Sequence, residues 1–120
     1  MQNRKPHLAL LLLLLVFLAG CAAGQISSPS QESPKTLALK TLNMDKQIYD
    51  STFKALALLD SQGKLPAKIK SEAIRLGNLY MKAHNLAVQA LLADGTANLA
   101  TVRAALDLFL DVATPYMGVN

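Results

Sequence analysis

His84 is the first residue to consider for chemistry, because imidazole is both a metal ligand and an acid–base group near neutral pH. It is the only histidine after residue 20 and lies in a long helix-forming stretch. A metal site on a helix would need a second His, Cys or carboxylate three or four residues away. Those positions hold Tyr80, Met81, Ala87 and Val88. We therefore predict no metal site and a partly buried or surface histidine.

The segment from Asp60 to Leu65 is weakly similar to a calcium-binding loop. Such a loop requires carboxylates at its first and twelfth positions around a glycine at position six. Aligning Gly63 with position six places Leu58 first and Ile69 twelfth. Neither side chain can ligate calcium, so we reject a calcium site.

No other motif in the sequence predicts catalysis. The chain has no phosphate-binding loop, no nucleophile elbow and no zinc signature. Cys21 is the only thiol, and paired catalytic groups are scarce. We predict that the protein is not an enzyme and uses no cofactor.

The N-terminal segment has the composition of an export signal. Arg4 and Lys5 precede an apolar run from Leu8 to Gly20 that is mostly leucine. A basic head, a short apolar centre and small residues before a break are typical of a secretory signal peptide. The run is shorter than the ~20 apolar residues that cross a bilayer comfortably. We predict that residues 1–20 are a cleaved leader.

The apolar run ends in Leu18, Ala19, Gly20 and Cys21. These residues resemble the lipobox of bacterial lipoproteins, in which a leucine and two small residues precede an invariant cysteine. The resemblance implies cleavage between Gly20 and Cys21, and lipidation of Cys21 with a diacylglycerol and often a further acyl chain such as palmitate. It covers residues 1–21, and residues 22–120 resemble no specific family.

Lipidation of Cys21 explains an odd thiol in an exported chain. Two or three acyl chains give stable membrane anchoring, since each buried CH₂ contributes ~0.8 kcal/mol. Ala22 follows the cysteine, where aspartate retains enterobacterial lipoproteins in the inner membrane. By that analogy the expected location is the periplasmic face of the outer membrane. In a Gram-positive bacterium it would be the outer face of the cytoplasmic membrane.

The composition of the mature chain bounds its partners. The leader carries two of the twelve Lys and Arg residues and none of the eight Asp and Glu residues. The remaining 100 residues therefore have ten basic and eight acidic residues and a net charge of +2. This mild charge gives no support for nucleic-acid binding. One hundred residues suffice for one small domain.

Three segments follow the leader. Residues 21–33 are the lipidated cysteine and a small, polar, Pro-containing linker, which as a disordered coil would span ~20 Å. Residues 34–114 form a helical domain. Residues 115–120 are predicted to be a loose tail, because Pro115 is expected to stop the last helix.

Two long helices open the predicted domain. The first runs from Pro34 to Ser61 with Ser33 as its N-cap, and the second runs from Pro66 to about Ala93. Gly77 in the second helix is predicted to let a neighbouring helix come close. The apolar face of the first helix consists of Leu39, Leu42, Tyr49, Phe53, Leu56 and Leu59, with Ile48 at its edge. The apolar face of the second helix consists of Ile69, Ala73, Leu76, Tyr80, Ala83, Ala87 and Leu91.

A shorter third helix is predicted from about Ala97 to Thr114, with Thr96 as its cap. Arg103 lies four residues before Asp107, so the two can form an ion pair. The core face of this helix consists of Leu99, Val102, Leu106, Phe109 and Val112 or Ala113. The predicted fold is all-α, an elongated antiparallel helical hairpin with a shorter third helix, which makes a three-helix bundle.

Two surface patches follow from this arrangement. The third helix has a thin polar side, so it is either wedged between the other two or covered by another molecule. The candidate interaction surface comprises Leu106, Leu108, Phe109 and Leu110. A basic stripe that could contact anionic lipid or an acidic partner comprises Lys64, Lys68, Arg75 and Lys82, with Lys70 beside it.

Three functions are compatible with these features. The first is an envelope lipoprotein whose helical domain is a structural or protein-interaction module and binds itself or another envelope protein. The second is a carrier of a lipid or other apolar ligand, in which Gly77, Ala83 and Ala87 leave space between the helices. The third is a lysis or exclusion lipoprotein derived from a phage or plasmid, which genomic neighbourhood would reveal.

Overall fold

Three helices make up the part of the chain that the structure describes. The structure is a computed structural model and describes residues 31–118 of the 120-residue chain. Helix α1 spans Pro34–Ser61, α2 spans Ala67–Asp94 and α3 spans Leu99–Met117. Each helix packs against both others, and no strand occurs in these residues. The connecting segments 62–66 and 95–98 are short, so consecutive helices run antiparallel. The predicted all-α three-helix bundle is confirmed.

The lengths of the helices also agree with the prediction. Helices α1 and α2 have 28 residues each and α3 has 19. At 1.5 Å per residue, the first two are ~42 Å long and the third is ~28 Å long. The domain is therefore a long hairpin with a shorter helix packed along it.

The ends of α1 and α2 are set by the residues that the sequence singles out. The Oγ of Ser33 accepts a hydrogen bond from the backbone N–H of Thr36 at 3.2 Å. Gly63 and Gly95 follow the two helices with φ angles of 69° and 81°. A side chain would strain the backbone at these angles, so glycine favours the helix ends there. Helix α2 is shifted by one residue from its predicted bounds.

The start of α3 differs from the prediction. Its cap is Asn98, whose Oδ1 accepts a hydrogen bond from the N–H of Thr101 at 3.1 Å. Thr96 instead donates two hydrogen bonds to Oδ1 of Asp94, from its N–H at 2.9 Å and from its hydroxyl at 2.8 Å. These bonds fold the connecting turn, so the helix begins at Leu99, two residues later than predicted.

The expected stop of α3 at Pro115 is wrong, because the helix continues through Pro115 to Met117. Proline removes its own N–H and crowds the carbonyl of Asp111 one turn earlier, which is a local cost near the helix end. Tyr116 is half-buried against the core, and its packing favours the additional turn. The helical domain therefore extends three residues beyond its predicted end. Residues 119–120 of the predicted tail lie outside the described residues.

The buried face of α1 is rotated from the predicted one. Leu39 and Phe53 were expected in the core but are exposed. Two polar residues, Asp45 and Thr52, occupy core positions that a count of apolar residues assigns to solvent. The buried residues follow one another at alternating spacings of three and four, as Leu42, Asp45, Tyr49, Thr52 and Leu56.

The buried face of α2 agrees more closely with the prediction. Ile69 and Ala83 are half-buried at its margins, and the other predicted members are buried. Gly77 and His84 complete this face. Its buried residues are Ala73, Leu76, Gly77, Tyr80, His84, Ala87 and Leu91.

An aromatic cluster joins all three helices at mid-height. The ring of Tyr49 in α1 lies 4.7 Å from that of Tyr80 in α2 and 4.9 Å from that of Phe109 in α3, between centroids. A Cβ on Gly77 would lie 2.8 Å from the hydroxyl oxygen of Tyr49 and 3.3 Å from its ring. Gly77 therefore makes room for the Tyr49 side chain of α1, which fills the space above it. That Gly77 lets a neighbouring helix come close stays a prediction.

Two segments flank the helical domain. Residues 31–33 precede α1 without helical structure and are exposed, and Glu32 forms an ion pair with Lys40. The leader and residues 21–30 of the predicted linker lie outside the described residues. Within residues 31–118, none of the helices combines the length and apolar character of a membrane span.

Candidate functional site

The predicted interaction surface on α3 is divided by the fold. Leu106 and Phe109 are both 0% exposed, and Leu110 is half-buried against the core. Leu108 alone points outward, with 50% of its surface exposed. The prediction of Leu106 and Phe109 as surface residues is wrong because α3 is wedged against both other helices and both side chains fill the space between them.

Exposed leucines on α2 extend the surface around Leu108. Leu79 is 44% exposed and Leu86 is 57% exposed. They lie seven residues apart, which is two helical turns, so they share one side of α2. On α3, Thr101 and Leu108 share one side for the same reason. We call the surface formed by these two sides the α2–α3 face.

A shallow groove of about 280 Å³ occupies one end of this face. It is lined almost entirely by apolar atoms, because alanines on α2 leave space beside the first turn of α3. Its lining residues are Ala83, Leu86, Ala87, Ala90, Asn98 and Thr101. A leucine-sized side chain from another molecule would find apolar contact there.

The basic stripe borders the α2–α3 face. Lys68, Arg75 and Lys82 recur every seven residues, and the last two lie one turn before Leu79 and Leu86. All three are exposed, and Lys64, the fourth predicted member, is exposed in the connecting segment 62–66. The stripe is therefore the outer edge of the same surface that carries the exposed leucines of α2.

Two cations of the predicted basic patch are paired with carboxylates. Arg75 donates to both carboxylate oxygens of Glu72, at 2.6 and 3.0 Å, and this hydrogen bonding lowers the pKa of Glu72. Lys70 forms an ion pair with Asp60 at 2.6 Å. The net positive charge of the patch is thereby smaller than the sequence alone suggests.

An ion pair between a buried carboxylate and an exposed arginine connects α1 and α3. Asp45 is only 3% exposed, and its Oδ1 accepts a hydrogen bond from Nη1 of Arg103 at 2.9 Å. Arg103 also approaches Asp107 at 3.3 Å, which confirms the predicted pair. The position of Asp45 in the three- and four-residue spacing of α1 was the signal for its burial.

His84 lies between α1 and α2 and contacts the aromatic cluster. Its Nδ1 lies 3.3 Å from the hydroxyl of Tyr80. Burial and the nearby Lys46 ammonium lower the pKa of His84, while Asp45 and Asp50 oppose that shift. His84 is buried, so it lies closer to the core than the predicted partly buried or surface histidine.

A second groove, of about 210 Å³, opens beside His84. Lys46 at its margin is held by the carboxylate of Asp50, at 2.6 and 2.7 Å. Its lining residues are Leu39, Leu42, Asn43, Lys46, His84 and Val88. Among residues 31–118, no group of three or more His, Cys, Asp and Glu side chains is arranged to hold a metal ion.

The predicted lipidation site, Cys21, and the cleavage site between Gly20 and Cys21 lie outside the described residues. Their assignment rests on the sequence Leu-Ala-Gly-Cys. Comparison of the whole chain with protein-family models, with curated proteins and with solved structures finds no match.

Proposed function

We propose that the protein is a lipid-anchored bacterial envelope protein whose three-helix domain is a non-catalytic interaction module. The observation that carries the second half of this proposal is the α2–α3 face, where Leu79, Leu86 and Leu108 are exposed beside an apolar groove. Clustered exposed apolar side chains with a charged margin are typical of protein contact surfaces. The lipid anchor is supported by the lipobox residues.

The proposed contact surface is supported by the unfavourable free energy of exposing its leucine side chains to water. A fully buried leucine contributes ~1.5–3 kcal/mol relative to an exposed one. Leu79, Leu86 and Leu108 leave about half of their surface exposed in the isolated domain. A partner that covers all three recovers part of that free energy, and the neighbouring charges then set its orientation.

The anchoring is tested by fatty-acid labelling of the chain expressed in bacteria. The wild-type chain should incorporate labelled palmitate, and its mature form should begin at Cys21. Cys21→Ser should abolish the label, because the acyl acceptor is lost. A matched control, Ser28→Ala in the linker, should label like the wild type. Undiminished labelling of Cys21→Ser would disprove lipidation at this residue.

The interaction is tested by co-purification from membranes solubilised in mild detergent. Leu86→Glu combined with Leu108→Glu should abolish the complex, because two carboxylates would be buried against apolar surface. Lys54→Glu, on the exposed outer side of α1, is the matched control and should leave the complex unchanged. A complex that survives the double substitution would exclude the α2–α3 face as its contact surface.

A carrier of an apolar ligand is the second candidate, and the groove beside Ala83 and Ala87 favours it. The space over Gly77 offers nothing to a ligand, because Tyr49 fills it. A carried ligand would therefore lie in the open groove between α2 and α3. Native mass spectrometry of the chain isolated from cells should show a retained lipid if this candidate is right, and only the anchored chain if it is wrong.

A further inference from the structure

We propose that the partner on the α2–α3 face is a second copy of this chain, arranged as a two-fold dimer in which α2 of each copy lies on α3 of the other. The dimer rests on the proposed function, since it names the partner of that interaction surface. Its evidence is the shape of the face and the distribution of charge across it.

The α2–α3 face has both protruding leucines and small residues, so two copies of it can fit together. Helix α2 presents the protruding Leu86 beside a floor of alanines, and α3 presents Leu108 beyond Thr101. A two-fold axis parallel to the helices places each α2 over α3 of the partner at the same height. The protruding leucines of one copy then meet the small residues of the other, as in knobs-into-holes packing.

The two edges of the face carry opposite charge. Arg75 and Lys82 border the α2 side. Asp111, three residues after Leu108, borders the α3 side and is exposed. The rings of Tyr80 and Phe109 both contact the ring of Tyr49, so these two residues lie at the same height along the bundle. Asp111, two residues after Phe109, is therefore level with the part of α2 between Arg75 and Lys82. The face therefore has a basic edge and an acidic edge at matching heights.

This charge distribution selects one of two possible two-fold arrangements. With the axis parallel to the helices, the basic edge of each copy meets the acidic edge of its partner. With the axis across the helices, α2 lies on α2 and the basic edges face each other. Opposite charges across an interface fix its register, and like charges exclude the alternative. The resulting core is a four-helix layer with α1 of each copy outside it.

The same charges disfavour a lipid surface as the occupant. Asp111 lies on the exposed rim, where it would face anionic headgroups, and Arg75 is already paired with Glu72. A small interface is nevertheless sufficient for a dimer on a membrane. Two tethered copies meet at a high effective concentration, so a weak contact between them becomes populated.

Disulfide crosslinking of the full lipidated chain in its membrane tests the arrangement. Lys82→Cys combined with Asp111→Cys should give a covalent dimer on mild oxidation, because the two edges meet only between copies. Within one chain these positions lie on opposite edges of the face, too far apart for a disulfide. Each single substitution is the matched control and should give at most a trace of dimer.

A charge exchange provides a second measurement that does not depend on exact crosslink geometry. Lys82→Asp should lower the association constant of the dimer by about fivefold, because the two-fold symmetry removes two exposed ion pairs at once. Asp111→Lys should do the same, and the double exchange should restore the dimer. Both residues are exposed, so the monomer should fold normally in every variant. Native mass spectrometry in mild detergent reads the dimer fraction.

Three results would overturn the proposal. The first is a monomer in both measurements. The second is a dimer of Lys82→Cys alone that equals the double variant, since it would place α2 on α2. The third is a benzophenone at position 86 that labels phospholipid or another envelope protein instead of this chain. Labelling of another protein would refute the dimer and leave the proposed interaction module standing, whereas lipidation of Cys21 is tested separately.

Discussion

The Tyr49 side chain of α1 packs directly over Gly77 of α2 and shows how a glycine makes room for a neighbouring side chain. The tyrosine ring lies over the glycine and between two other aromatic rings, so it has little room to move. A mid-helix glycine costs ~1 kcal/mol relative to alanine in an isolated helix. That cost is offset here by the close packing that only glycine permits.

Gly77→Ala should destabilise the domain by about 1–3 kcal/mol, because the new methyl group displaces the Tyr49 ring and overpacks the cluster. Asn78→Ala, on the exposed side of the same turn, should be neutral or slightly stabilising, since it gains helix propensity without a clash. Urea unfolding of residues 22–120, followed by circular dichroism, measures both. Equal stability of Gly77→Ala and the parent would mean that Tyr49 is free to move.

The buried carboxylate of Asp45 depends on Arg103 for its hydrogen bond. Arg103→Ala should lower the free energy of unfolding by about 1–2 kcal/mol, because Asp45 is left without its charged partner. Asp45→Leu should be neutral or stabilising, since an apolar side chain suits this core position. Asp107→Ala serves as the control and should change stability by less than ~0.5 kcal/mol. A large loss in Asp45→Leu would show that the charge itself is needed.

His84 should make stability depend on pH. Burial lowers the pKa of His84 below its ordinary value of 6.5 in the folded chain. The unfolded chain therefore binds the proton more readily, and the free energy of unfolding falls as pH drops from 6.5 towards the folded pKa. His84 is the only histidine in residues 22–120, so His84→Gln should remove this dependence between pH 7 and pH 5. Denaturant titrations across that range measure the free energy of unfolding at each pH. If the assignment were wrong, the free energy of unfolding of His84→Gln would depend on pH as steeply as that of the parent.

At the scale of the helices, the sequence predicts a helix boundary well where neighbouring residues determine it, and poorly where tertiary packing determines it. The bounds of α1 follow from Ser33, Pro34 and Gly63, which act through their own backbone preferences, and the prediction was correct to the residue. The packing of Tyr116 against the core favours the last turn of α3, which local propensity at Pro115 does not reveal. A count of apolar residues could not place the core face of α1 either, because Asp45 is buried.

The exposed leucines of the proposed contact surface follow from the sequence only in part, for a related reason. The sequence identified α3 as having more apolar surface than an outer helix needs, and α3 does pack against both other helices. The leucines that stay exposed to solvent are determined by how the three helices pack against one another. Leu79 and Leu86 were missed because they lie just beyond the predicted core face of α2, next to the basic stripe. Their seven-residue spacing was the available signal.

Leu106→Ala and Leu108→Ala should separate the core from the contact surface. Leu106→Ala should destabilise the monomer by about 2–5 kcal/mol, because it leaves a cavity in a closely packed core. Leu108→Ala should cost less than ~1 kcal/mol in the monomer and should weaken self-association. Thermal unfolding and native mass spectrometry of the same samples would read the two effects. A more stable Leu106→Ala than Leu108→Ala would contradict the assigned orientation of α3.

At the scale of the whole molecule, the proposed protein consists of a lipid anchor, a linker and a small interaction domain. The described helices bury one continuous core. A linker of about a dozen residues would let the domain sample partners within ~20 Å of the anchor, which favours weak contacts between neighbouring copies.

Photo-crosslinking in intact membranes tests this account most directly. A benzophenone is placed at position 86 on the α2–α3 face, or at position 54 on the outer side of α1 as the control. An adduct with twice the mass of the chain should form at position 86, and little or none should form at position 54. Equal labelling at both positions, or none at position 86, would contradict it.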